Sequence, residues 1–146
     1  MVFVSGCLYG ENCKYNGGNN LREELKKLLE NEEVVLVCPE CMGNMTTPRS
    51  PSEINFGGNG KMVTEGKGKV ISKEGEDVTS FFLKGANEVL RLAKELKPSC
   101  IYLKQGSPSC GCGVIYDGTF SSTKKEGVGV TASILLENGF KIIPVE

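Results

Sequence analysis

Histidine and tryptophan are both missing from the 146 residues, and the first absence removes the most chemistry. Without an imidazole there is no serine or cysteine hydrolase triad, no HExxH protease and none of the usual catalytic zinc sites. Excess charge of one sign is missing too. The 17 basic and 18 acidic residues leave a net charge of -1, which argues against a generic polyanion-binding protein. No stretch approaches the roughly 18 apolar residues of a membrane span. The opening Met1-Val2-Phe3-Val4-Ser5-Gly6 lacks a basic n-region and a long apolar h-region, so the sequence predicts a cytoplasmic protein.

Cysteine and glycine are plentiful, at 7 and 19 residues. A chain of this length suits one domain, expected to span 1–146, and buries roughly two-thirds of its unfolded surface without disulfide staples. An odd number of cysteines with no export signal reads as metal ligation or thiol chemistry.

Apolar runs at Val2–Ser5, Val34–Val37, Ile101–Leu103 and Lys141–Val145 predict four strands. Leu21, Leu25, Leu28 and Leu29 lie on one stripe and predict a helix, with Asn20 as its cap. Asp77 is placed to cap a longer helix whose face is Val78, Phe81, Phe82, Ala86, Val89, Leu90, Ala93 and Leu96, closed by Pro98. A third helix is expected over Val128–Glu137, stopped at Asn138-Gly139. Residues 43–75 are rich in Gly, Pro, Ser, Thr and Asn and read as a loop or hairpin excursion. This alternation predicts an α/β fold: a mainly parallel sheet with helices on both faces, a Rossmann-like three-layer arrangement.

Three predicted strands run into cysteine: Cys7 after the first, Cys38 after the second, Cys110 after the third. Ligands in such sheets gather outside the carboxyl ends of the strands, so these thiolates are expected to converge and hold a metal centre. The spacing, with Cys38-x2-Cys41 as one pair and Cys110-x-Cys112 as a poorer one, is not that of a zinc ribbon or finger. An iron–sulfur cluster accepts scattered thiolates, and with three of them one iron stays open as a Lewis acid for soft sulfur. Glu40 and the hydroxyls of Ser107 and Ser109 sit beside these cysteines as candidate proton-handling groups. Cys100 reads as a small buried apolar side chain, Cys13 and Cys112 as bystanders, and Asp117 as a turn residue.

Together these motifs resemble the thiouracil desulfidase family. The resemblance is carried from end to end by Ser5-Gly6-Cys7-Leu8, Lys14-Tyr15-Asn16-Gly17, Val37-Cys38-Pro39-Glu40, Thr47-Pro48-Arg49, Ser107-Pro108-Ser109-Cys110-Gly111, Ile115-Tyr116-Asp117-Gly118-Thr119-Phe120 and Gly129-Val130-Thr131-Ala132. It implies a [4Fe-4S] cluster held by Cys7, Cys38 and Cys110, with Glu40 and Ser107 positioning a water and Ser109 in reserve. The implied partners are small thiolated nucleobases or nucleotides, such as 2- or 4-thiouracil or 4-thiouridine monophosphate. Lys14 stands where the family pattern has arginine and Asn16 where it has aspartate, while Cys41 and Cys112 are additional thiols. Two other readings remain: a non-catalytic zinc or cluster module, with Cys41 as a possible fourth ligand, and thiol–disulfide exchange through Cys38-x2-Cys41. The second fits less well because no helix start is evident after Cys38.

Overall fold

Strand β1 (Val2–Ser5) is buried at all four positions, as a central strand covered on both faces must be. In the computed structural model, which describes residues 1–146, β2 (Val34–Val37) pairs with it in parallel from Val2↔Val34 to Ser5↔Val37. On its other side β1 pairs in parallel with β5 (Ile101–Lys104), and β5 with β8 (Ile142–Val145), giving the order β2-β1-β5-β8. The predicted parallel α/β sheet is therefore present.

The period of two along β1 decides what covers each face. Val2 and Val4 pack with Leu8, Leu25 and Leu29, so α1 (Glu23–Leu28) and the turn before it lie on one side. Phe3 points the other way, into a cluster with Ile101, Leu103, Val89 and Ala132, which places α4 (Thr79–Leu96) and α5 (Val130–Glu137) on the opposite side. Val78 and not Asp77 is the N-cap of α4; Asp77 stands one residue earlier, where its carboxylate accepts the Thr79 N–H at 3.0 Å and the Thr79 hydroxyl at 2.6 Å. Asn20 does not cap α1, which begins two residues past Leu21 and leaves Leu28 70% exposed.

Residues 43–75 form a real hairpin, β3 (Ser52–Ile54) antiparallel to β4 (Val70–Ser72), with α3 (Gly60–Thr64) between them. Ile54, Val63 and Val70 join Phe82, Ile115 and Val130 in a second apolar cluster, which anchors the excursion to α4 and α5. A further hairpin was not foreseen: β6 (Cys112–Tyr116) pairs antiparallel with β7 (Lys124–Val128). Val128 thus belongs to a strand, and α5 begins after Gly129. One face of β7 is solvated and its sequence, Lys124-Lys125-Glu126-Gly127-Val128, shows no alternating apolar pattern to read.

Close backbone contacts lock the site-bearing segments onto the helices. A Cβ on Gly85 of α4 would stand 1.8 Å from the Pro39 carbonyl oxygen, so only glycine lets the segment after Cys38 lie directly on that helix. The first N–H groups of α5 donate to the loop before Cys110, Val130 to Pro108 at 2.8 Å and Thr131 to Ser109 at 2.9 Å. These are donors that a helix start would otherwise leave unpaired.

Candidate active site

Strands β2, β1 and β5 are neighbours, and their carboxyl ends deliver Cys38, Cys7 and the loop carrying Cys110 to one edge of the sheet. The chain crosses from β2 on one side of β1 to β5 on the other, which makes this edge a topological switch point. A cavity of about 420 Å³ opens there, lined by Cys7, Cys38, Cys110, Glu40 and Ser107. All five residues singled out from the sequence meet in it. Ser109 does not line it: its fully buried hydroxyl lies 2.9 Å from that of Thr131 and ties the Cys110 loop to α5.

The thiols differ in how readily they ionise. Cys38 is pulled down to about 5, mainly by a hydrogen bond from the Cys13 thiol, with contacts to Cys41 and the Arg49 charge adding to it against the cost of burial. Cys7 is pulled down to about 7, again chiefly by Cys13, and Asn20 helps. Burial pushes Cys110 well above the ordinary thiol range, and the neighbouring Cys38 and Glu40 charges push in the same direction. Two of the three are therefore ready anionic ligands, and the third gives up its proton when a metal takes its place.

Glu40 leads into the same space from the helical turn α2 (Pro39–Met42). Burial holds its carboxyl above the usual range, an effect that Arg49 offsets in part. Arg49 Nε donates to Glu40 Oε1 at 3.2 Å, and its side chain is only 6% exposed. Ser107 Oγ accepts the Ser109 and Cys110 N–H groups at 3.0 and 3.2 Å and stands beside Glu40 in the cavity wall. Ser107 thus sets the Cys110 ligand loop beside the carboxylate.

Several contributors were not evident in the sequence. Cys13, read as a bystander, lies among the site thiols, and Asn20 reaches Cys7 in place of capping α1. Arg49, noted only within a motif, joins Glu40 to the carbonyl of Cys13 at 2.8 Å. The excursion and the unforeseen hairpin supply Glu53, Lys73, Tyr116, Phe120 and Lys124 to the cavity wall. Cys112, Cys100 and Cys41 do not line the cavity; Cys100, expected to be buried, is half-buried, and Cys41 lies 3.7 Å from the Thr47 hydroxyl. Cys38 does precede a helical turn, contrary to the sequence reading.

No three Cys, Asp or Glu side chains converge tightly enough to grip a single metal ion. Zinc binds sulfur at about 2.3 Å, so its ligands must crowd round one point. A multinuclear cluster gives each thiolate its own iron and lets the sulfurs stand further apart. Soft thiolates arriving from three strand ends fit the second kind of centre.

The 2-thiouracil desulfurase family model matches residues 2–146. The chain belongs to this family. Uncharacterized protein YbbK of Bacillus subtilis strain 168 is 46% identical over 143 residues, covering 98% of this chain and 94% of that one. Among solved structures, a [4Fe-4S]-dependent thiouracil desulfidase, TudS, superposes with a TM-score of 0.84 at 32% identity, over 99% of this chain and 89% of that one. No helix is long and apolar enough to cross a membrane.

Proposed function

We propose that this member of the 2-thiouracil desulfurase family removes sulfur hydrolytically from thiolated pyrimidines, converting a C=S group and water into C=O and hydrogen sulfide with no net redox change. The observation that carries the reading is the meeting of Cys7, Cys38 and Cys110 with Glu40 and Ser107 in one cavity. Cys7, Cys38 and Cys110 would hold a [4Fe-4S] cluster. When bound, it supplies a soft Lewis acid for the substrate sulfur at the iron that these three thiolates leave free.

The protein's own part is to place a water and move its proton. Glu40, made a stronger base than an ordinary carboxylate by its burial, is placed to take a proton from water. Arg49 fixes the carboxylate and Ser107 stands beside it in the cavity, so a water on it is aimed rather than free to wander. Glu40 is then the catalytic base and Ser107 the second hydroxyl that orients the water.

The charge of the cavity supports a nucleotide over a free base. Lys14, Arg49, Lys73, Lys104 and Lys124 line it against only two carboxylates, Glu40 and Glu53, in a chain whose net charge is -1. Glu40 is paired with Arg49, and Glu53 Oε1 is occupied by the Gly118 and Phe120 N–H groups at 2.9 and 3.2 Å. The remaining lysines suit a phosphate, which makes 4-thiouridine monophosphate the favoured substrate and 4-thiouracil a poorer one. Anaerobically reconstituted protein is expected to release uridine monophosphate and sulfide from the nucleotide. The Glu40→Ala variant should keep its iron and brown colour while turnover falls on the order of 100- to 10,000-fold. Iron-loaded protein that turns over neither substrate, or a Glu40→Ala variant of full activity, would overturn the reading.

A further inference from the structure

Cys13 is a thiol that the proposed chemistry leaves unused, on the loop that follows Cys7. It lines the same cavity, and its Sγ lies 3.6 Å from where a Cβ on Gly6 would stand. Its backbone is anchored from outside. Arg49 donates to the Cys13 carbonyl at 2.8 Å while holding Glu40 at 3.2 Å with another nitrogen. The sulfurs of Cys41 and Cys38 lie 3.9 and 4.0 Å from the same carbonyl. Two residues further on, the Arg49 N–H donates to the Tyr15 carbonyl at 2.7 Å, so the loop is clamped to the Thr47-Pro48-Arg49 segment. A cysteine kept only for packing would lie in an apolar cluster, and Cys13 belongs to none of the three.

A thiol that lines the same cavity as the three proposed ligands, on a loop clamped beside them, is placed to reach the iron they leave free. We infer that Cys13 supplies a displaceable fourth thiolate to the cluster iron that Cys7, Cys38 and Cys110 leave free, guarding it until the substrate sulfur takes its place. The inference rests on the cluster reading above. The exchange moves no electrons: the Cys13 sulfur–iron bond breaks, the substrate sulfur–iron bond forms, and the released thiolate takes a proton from water. Cys13 is held by its loop backbone and not by the sheet, which lets it yield while Cys7, Cys38 and Cys110 stay in place.

The test is a titration with hydrosulfide as a small soft ligand, followed by electron paramagnetic resonance of the reduced, reconstituted protein. Wild type, Cys13→Ala and Cys13→Ser are compared with iron counted in each. A thiolate that caps the free iron in about nine molecules of ten weakens hydrosulfide binding about tenfold, so Cys13→Ala is expected to bind it that much more tightly than wild type. The starting spectra of the two should also differ. Cys13→Ser, close to cysteine in size, should keep the iron and give a third spectrum, because an oxygen ligand replaces sulfur. Equal iron, equal spectra and equal hydrosulfide affinity in all three would overturn the role of Cys13 and leave the cluster reading standing. Iron lost from both Cys13 variants alone would make Cys13 a permanent ligand and overturn displacement. Wild type without iron would overturn both readings.

Discussion

Two regions of the molecule frame one cavity and are built on opposite terms. The floor is the carboxyl edge of the parallel sheet, where β1 is wholly buried and the Cys110 loop is pinned to the start of α5. The walls are the hairpins β3–β4 and β6–β7, whose contributions include the exposed Lys73 and Lys124 and a turn with φ of 56° at Phe120 and 59° at Ser122. Such left-handed backbone is costly for residues with a side chain and persists only where neighbours hold it, here in part through Glu53. The difference teaches a division of labour. Thiolates that must keep a fixed spacing come from the stiffest backbone, and contacts to the rest of a substrate come from segments that evolution can vary cheaply.

The sharpest way to break this comparison is to attack the floor. Cys7→Ser, Cys38→Ser or Cys110→Ser should each abolish cluster binding, reducing iron and acid-labile sulfide in anaerobically purified protein to background. Substitutions in the walls should leave both at the wild-type level. If a hairpin substitution such as Lys124→Ala emptied the site of iron, floor and walls would not be separable.

The same division explains what was legible in the sequence. The parallel strands write themselves as short apolar runs, so β1, β2, β5 and β8, and the cysteines that follow the first three, can be read directly. α4 was legible because its apolar stripe is long and Asp77 and Pro98 mark its ends. Of the walls, the first showed only as an excursion over residues 43–75, because three-residue strands such as β3 and β4 are too short to show alternation, and the second not at all, because β7 is half solvated. Cys13 was missed for a different reason. It follows no strand, and tertiary bonds from Arg49 to the Cys13 and Tyr15 carbonyls bring its loop to the site.

A smaller effect sharpens the walls' part. Replacing both Lys73 and Lys124 with alanine should raise KM for 4-thiouridine monophosphate about tenfold, the equivalent of about 1.4 kcal/mol, and leave kcat and the iron content unchanged. KM for free 4-thiouracil should move little, since it has no phosphate. Added salt should reproduce part of the loss in wild type and little of it in the variant, because exposed charges are screened. Equal losses for base and nucleotide would place these lysines on the base or in the fold.

The smallest effect lies where a wall joins the floor's supporting helix. Asp77 receives the Thr79 N–H and hydroxyl at the start of α4, the Val70 N–H of β4 donates to the Thr79 hydroxyl oxygen at 3.0 Å, and Lys69 stands 3.8 Å from the Asp77 carboxylate. Asp77→Ala should lower stability by about 1 kcal/mol at neutral pH, the size of losing a side-chain bond to the first N–H of a helix, with iron content and KM unchanged. The Thr79 hydrogen bonds hold the Asp77 carboxyl below its ordinary value in the folded state. A depressed folded-state pKa means that the unfolded chain binds the proton first as pH falls. The stabilisation is then complete above the unfolded value of about 3.9 and disappears as pH drops through the lower folded one. Denaturant melts of wild type and Asp77→Ala should therefore differ at pH 7 and draw together toward pH 2. A gap that persisted in acid would assign the loss to packing between β4 and α4, and the hairpin would then be joined to the helix by contact and not by charge.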